Sequence, residues 1–297
     1  MLNKTIVTIL SISYSGSHYL SLLLGSHSQS MHLGEVYHLG KARPPKHPKV
    51  VCSICKDQAQ CPIFHGIGPQ NISTIYDIIY SRVDPSITCL IDTSKSVRWA
   101  EQMKESKQYK RHYIHLIRDP RALIRRWAIT YTTVKQRIHT RWKLARRLPL
   151  HAPSMLFGHI HDVYLYNWLQ WNQAITHFIQ RNNLDARVVT YRDLARNASG
   201  EVNALMDWIG LKYEPTQLEY WNFKHHGSQK SEYEWVKKSK SQFIDLRWQT
   251  DLPESTILRT VHNREVLDYV DQIGLTFTED GLTRSLSRTP RNLHMTQ

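Results

Sequence analysis

Residues 5–24 read Thr-Ile-Val-Thr-Ile-Leu-Ser-Ile-Ser-Tyr-Ser-Gly-Ser-His-Tyr-Leu-Ser-Leu-Leu-Leu. The apolar run from Thr5 to Leu10 is continuous rather than alternating, which is the pattern of a strand covered on both faces, as in a parallel sheet. It opens into a small polar turn, Ser13-Tyr14-Ser15-Gly16-Ser17-His18, and then into a leucine-rich helical stretch. Strand, tight turn and helix N-terminus in that order expose backbone N–H groups and the positive end of a helix dipole, a setting that suits an anion. Tyr113-Ile114-His115-Leu116-Ile117 runs in the same way into Arg118-Asp119-Pro120-Arg121 and a second helix. Two such turns imply a ligand with phosphates at two places.

Working outward, Thr88 to Ile91 reads as a short strand before Asp92-Thr93-Ser94-Lys95, with a helix from about Val97. Asn71 to Ser81 has helical spacing, and residues 121–148 read as a very basic helix broken at Pro149 and Pro153. His161 to Arg181 is amphipathic, with Tyr164, Trp168, Trp171, Ile175 and Phe178 along one face as a core stripe. Arg187 to Thr190 is a strand ending at Tyr191-Arg192-Asp193-Leu194, and Glu201 to Gly210 is a helix with a glycine stop. Alternating short strands and helices predict an α/β fold, a P-loop-like doubly wound parallel sheet flanked by helices, with ligands at the strand carboxyl ends. The chain divides into a single domain over 1–283, a cysteine-containing insertion at 41–70 and a basic tail at 284–297.

Of 297 residues, 41% are hydrophobic, enough for one full core. No apolar stretch reaches the ~18 residues of a membrane span, and the apolar N-terminus lacks a cleavage signal, so the expected location is cytoplasmic. The formal charge of +14 comes from 39 Lys and Arg against 25 Asp and Glu, and favours acidic partners without choosing among them.

These segments, taken together, resemble the sulfotransferases that use 3′-phosphoadenosine 5′-phosphosulfate (PAPS), in the branch with a Leu-Gly-Ser-His and then a Leu-Gly-Glu signature. The matching series is Ser15-Gly16-Ser17, Leu24-Gly25-Ser26-His27, Leu33-Gly34-Glu35, Cys52 to Phe64, Asp92-Thr93-Ser94-Lys95, His115 to Arg121, Tyr191-Arg192-Asp193-Leu194 and Asp245-Leu246-Arg247-Trp248. It covers residues from about 4 to 250. The triphosphatase Gly-x-x-x-x-Gly-Lys-Ser/Thr motif is absent, which argues against a kinase.

The resemblance implies that the first turn, Ser13, Tyr14, Ser15, Gly16, Ser17, His18 and Tyr19, cradles the 5′-phosphosulfate. Arg118 would hold the 3′-phosphate and Tyr191 would lie in the adenine region. It also implies Glu35 as the base that takes the acceptor proton. Two positions depart from the family pattern. Relatives carry Lys or Arg where this chain has Tyr14, so Lys95, with His18 behind it, becomes the substitute cation. Relatives carry Ser where this chain has Arg126, which can still meet a phosphate at longer reach. The plain structural readings stand beside these: a capping glutamate, an exposed helix-start lysine, a salt-bridged arginine and a buried strand-end tyrosine.

Cys52, Cys55 and Cys61, with His65 beyond them, form a permissible tetrahedral zinc set at an unusual spacing. A disulfide among the three is the other reading, and no metal is assigned from the sequence. The basic residues between Arg121 and Arg147, interleaved with Trp127, Tyr131 and Trp142, read as a solvated face or as a surface for an acidic acceptor. The function that follows is transfer of a sulfuryl group from PAPS to a hydroxyl-bearing small molecule, glycan or peptide, leaving 3′-phosphoadenosine 5′-phosphate (PAP). The alternatives are a nucleotide- or anion-binding protein of the same fold without turnover, or a nucleic-acid-binding protein using the basic stretch.

Overall fold

The run that opened the chain becomes β1 (Thr5–Ser11), every residue of which after Thr5 is buried. It lies at the centre of a five-stranded sheet in the order β2-β3-β1-β4-β5, where β2 is Ser30–Gly34, β3 Cys89–Lys95, β4 Lys110–Ile117 and β5 Ala186–Thr190. All four pairings are parallel. This is a computed structural model, and it describes residues 4–40, 52–104, 108–228 and 244–285.

A buried parallel sheet needs apolar cover on both faces. Val7 and Ile9 of β1 and Ile114 and Leu116 of β4 pack with the first helix, α1 (Ser17–Gly25), and with residues of the helix Ala198–Ile209. On the other face, Leu10 and Tyr113 meet Ile175, Phe178 and Ile179 of the long helix Ile160–Arg181. Within that helix Tyr164, Trp168, Ile175 and Phe178 are buried, as the expected stripe requires. Trp171 is not: it is 36% exposed, and Leu165, Leu169, Asn172 and Ile179 complete the inward face instead.

Three further expectations need correcting. The basic stretch is two helices, α2 (Pro120–Thr130) and Val134–Arg147, because Thr133 forms a capping box with Gln136 well before either proline. β3 runs past Ile91, where the short strand is expected to stop, and ends at Lys95. The chain beyond 250 adds helices Glu254–His262 and Arg264–Gln272 and an antiparallel hairpin of Leu275–Thr278 with Gly281–Arg284. Arg284 thus belongs to a strand, where it pairs with Glu201, rather than to a tail. Residues 286–297 of that tail and 41–51 of the insertion lie outside the described residues. No helix among the described residues is long and apolar enough to cross a membrane.

Chain order and strand order diverge at β1. After β1 the chain moves to one side for β2 and β3, then crosses to the other for β4. In open α/β sheets the crevice at such a switch, beyond the strand carboxyl ends, is where ligands bind. The sheet is irregular at that end, with register shifts in β1 between Thr8 and Leu10 and in β2 between His32 and Gly34.

Candidate functional site

The parallel pairing of β1 with β4 places Ser11 beside Leu116, so the two turns that follow these strands meet. Tyr14 and Arg118, 104 residues apart in the chain, are in contact: the Arg118 guanidinium donates to the Tyr14 carbonyl at 2.7 Å. The same guanidinium donates to Asp245 at 2.8 Å and lies 4.4 Å from the centroid of the Tyr191 ring. Trp168 fixes the backbone below by donating its indole N–H to the Arg118 carbonyl at 2.9 Å. Arg118 Nε is buried with no hydrogen-bond partner among the described residues. Burial lowers the arginine's pKa from its ordinary value, against the raising effect of Tyr191 and Asp245.

The first turn is built around Gly16, the residue before α1, at φ 92°. A Cβ there would come within 2.4 Å of the Tyr191 ring, so only glycine allows both the left-handed backbone and the close seat of that tyrosine. Among the described residues no side chain caps the start of α1. Ser15 is fully buried and its hydroxyl has no partner among the described residues. Ser13 and Tyr14 are exposed, whereas Ser17 is buried. The Tyr19 ring is buried and packs edge-on against Tyr220 at 5.8 Å.

The second turn is made differently from the first. Asp119 caps α2 by accepting from the Arg121 N–H at 2.8 Å, and binds the Arg121 guanidinium at 3.0 and 2.8 Å. Arg121 is buried and stacks 3.9 Å from the Trp248 ring centroid. The helix start expected to receive a phosphate is therefore occupied by the protein's own carboxylate, and the Arg118 side chain is the feature this turn offers.

Beyond the ends of β2 and β3 sits a second group. Glu35 is buried and contacts Lys95 directly. His38 Nε2 is 3.1 Å from its other oxygen, and His18 Nε2 lies 3.5 Å from the oxygen shared with Lys95. Lys95 Nζ is also 3.4 Å from His18. Burial by itself raises the Glu35 pKa, but hydrogen bonds from His38 and Lys95 and the nearby positive charge outweigh it and hold the carboxyl at about 2. Lys95 reaches this position with φ 61°, a left-handed backbone that a non-glycine residue adopts only under constraint. Earlier in the same strand Asp92 is buried and accepts from Tyr76 at 2.6 Å, from Trp99 at 2.8 Å and from the Ser94 N–H at 2.7 Å.

The three residues assigned to transfer, Glu35, Lys95 and His18, thus come together. Arg126, the second departure from the family pattern, meets the first: its guanidinium lies 4.8 Å from the centroid of the Tyr14 ring. Sequence reasoning missed Asp245 as the partner of Arg118 and His38 as a partner of Glu35, although the three-residue spacing of Glu35 and His38 on a tight helical turn was a signal for the latter. Much of the basic stretch is already in use. Arg125 binds Asp251, and Arg141 donates to the carbonyls of Met155 and Gly158. Trp127 is buried, Tyr131 half-buried and Trp142 55% exposed, so the three do not line one surface.

The cysteines also gather, but not with the expected histidine. His65 is exposed, and its Nδ1 lies 2.9 Å from the Cys61 carbonyl. The residue that approaches the three sulfurs is His226.

Neither the family models nor the curated proteins compared with this sequence give a match. Among solved structures, the chain is similar to the sulfotransferase domain from the curacin biosynthetic pathway, with TM-score 0.51 and 16% identity over 91% of this chain and 97% of that one. The sulfotransferase domain from the Synechococcus PCC 7002 olefin synthase gives TM-score 0.45 and 14% identity over 93% and 97%. Mouse sulfotransferase SULT7A1 complexed with PAP gives 0.45 and 11% over 91% and 88%. What the likeness to the curacin-pathway domain shows is the fold, a parallel α/β sheet flanked by helices.

Proposed function

We propose that this chain is a sulfotransferase that moves a sulfuryl group from PAPS to a hydroxyl acceptor in the cytoplasm. The observation that carries the reading is the meeting of the two turns, where Arg118 bridges from the end of β4 to the Tyr14 carbonyl and lies against Tyr191. In this reading Arg118 holds the 3′-phosphate, its unpartnered Nε supplying a further donor, and Tyr191 lies beside the adenine. The uncapped start of α1 and the buried Ser15 hydroxyl meet the 5′-phosphosulfate.

Transfer requires the acceptor oxygen to attack sulfur in line as the bond from sulfur to the phosphate oxygen breaks. The electron pair of that bond goes to the departing PAP, and the acceptor proton goes to a base. Glu35 is that base. With Lys95 bound to it, its carboxylate is stabilised and takes a proton poorly. Movement of Lys95 toward the donor would raise the basicity of Glu35 and supply positive charge to the leaving oxygen together. Arg126, over the Tyr14 ring, returns a cation to the first turn where the family's own is missing. The acceptor is a hydroxyl-bearing small molecule, glycan or peptide. The Glu35–Lys95 ion pair equally favours a second reading, a protein that binds the nucleotide without turnover.

The test is thermal stabilisation of the full chain by PAP and by 5′-AMP. At about one hundred times its Kd a ligand adds roughly 2.7 kcal/mol to the native state. The expected result is stabilisation by PAP well beyond that by 5′-AMP, lost in Arg118→Ala. Equal or absent stabilisation by the two would remove the donor site. Stabilisation without PAP release from PAPS, across a panel of alcohols and glycans, would leave the binding protein.

A further inference from the structure

Outside the donor crevice, Cys52, Cys55, Cys61 and His226 bring one ligand atom each to within 4.8 Å of all the others. Three sulfurs face a single ring nitrogen. His226 Nδ1 is 3.2 Å from Cys52 Sγ, 3.7 Å from Cys55 Sγ and 3.8 Å from Cys61 Sγ. One imidazole nitrogen makes one hydrogen bond, so hydrogen bonding accounts for one of these approaches and not three. A tetrahedral zinc ion with Zn–S near 2.3 Å and Zn–N near 2.0–2.1 Å sets each S···N edge at about 3.6 Å. The three observed edges bracket that value.

We propose that these four residues bind one zinc ion in a closed, structural site. The loop carrying the first two sulfurs is shaped for it. The Cys55 N–H points at Cys52 Sγ at 3.4 Å, the polarity a metal-bound thiolate requires of its neighbours. Lys56 follows at φ 62°, with its N–H donating to the Cys52 carbonyl at 3.0 Å, so the loop curls and both sulfurs face one side. A left-handed non-glycine residue there costs backbone strain that a fixed loop must offset. Cys52 and Cys61 are buried, and Cys55 and His226 half-buried. With four protein ligands and no open position, the ion holds structure and takes no part in catalysis.

The ion would join two distant parts of the chain. Ser53 already pairs with the His226 segment, its N–H donating to the Gly227 carbonyl at 2.8 Å and its hydroxyl to the His225 carbonyl at 2.6 Å. Ser228 N–H in turn donates to the carbonyl of Leu33, two residues before Glu35. Zinc therefore clamps the cysteine loop and residues 225–228 against the end of β2. This inference stands independently of the sulfuryl-transfer reading.

The experiment is metal and thiol analysis of full-length protein purified under reducing conditions without chelator. The expected result is about one equivalent of zinc, and loss of the ion on chelation accompanied by three newly reactive thiols. Changing groups that merely support zinc ligands lowers affinity about 10–100-fold, so His226→Ala, which removes a ligand, should lower it by at least about 100-fold. His226→Cys should keep the ion with four thiolates, and His65→Ala should leave it untouched. If His226→Ala does not fold, cobalt(II) titration of the metal-free unmutated chain replaces it, with the expected sign an intense sulfur-to-cobalt charge-transfer band. Less than half an equivalent of zinc with no uptake by reduced protein would overturn the proposal, as would a disulfide among the three cysteines. Zinc lost in His65→Ala but kept in His226→Ala would overturn the ligand set.

Discussion

The carboxyl end of the sheet is made in two ways. On the β1–β4 side, binding groups come from backbone shape: a left-handed glycine, an uncapped helix start and one arginine aimed across the gap. On the β2–β3 side they come from charge: a buried carboxylate with a lysine and two histidines around it. Backbone shape is fixed once the strands pair and responds little to pH or salt. An ion cluster is set by the protonation of its members and by which partner each currently holds. In the proposed reading the first region binds the donor and the second changes state.

The largest expected effect tests that division directly. Glu35→Gln should leave stabilisation by PAP intact and lower sulfuryl transfer by about 10²–10⁴-fold, the usual contribution of a positioned base. Steady-state turnover beside PAP titration measures both. Unchanged turnover would move the base elsewhere, and lost PAP binding would merge the two regions into one.

Next in size is the acid limb of stability. The Glu35 carboxyl is held at about 2, below its ordinary 4.5. A depressed carboxyl stabilises the native state fully above its unfolded pKa, and that contribution is lost as pH falls toward the folded one. Between about pH 4.5 and 2 the chain should lose on the order of 3 kcal/mol from this group, and Glu35→Gln should flatten that part of the curve. Tm measured against pH in both proteins gives the comparison; parallel curves would show that the ion cluster does not hold the carboxylate in solution.

The smallest effect lies on the backbone-built side. Arg126→Ala should cost about 0.5–1 kcal/mol of stability through the lost contact with the Tyr14 ring, as for exposed cation–π pairs. Denaturant unfolding reads this. If Arg126 also returns the missing cation to the first turn, the variant should weaken PAPS more than PAP, which sharpens the contrast between the two regions.

Legibility in the sequence followed the range of the contact. Thr5 to Leu24 and Tyr113 to Arg121 announced two strand–turn–helix units because each unit is local, its pattern written in adjacent residues. Glu35, Lys95 and His18 were identified only through resemblance. Nothing in their spacing says that they touch, since the contact exists only after β3 inserts between β2 and β1. The break at Thr133 was missed because a capping box interrupts a helix without proline or glycine. The exchange of His65 for His226 is the plainest case. Four residues along the chain, His65 turned to the Cys61 backbone, while a histidine 165 residues away closed on the sulfur.

By itself the sequence determined the class of fold and the two turns, since hydrophobic run length, glycine and helix starts act between neighbours in the chain. Only the tertiary structure decided which charges meet, which helix start Asp119 keeps for itself and which histidine joins the cysteines. Those outcomes depend on strand order and on burial. Burial makes an unpaired charge costly enough to choose its partner, and no reading of adjacent residues contains that cost.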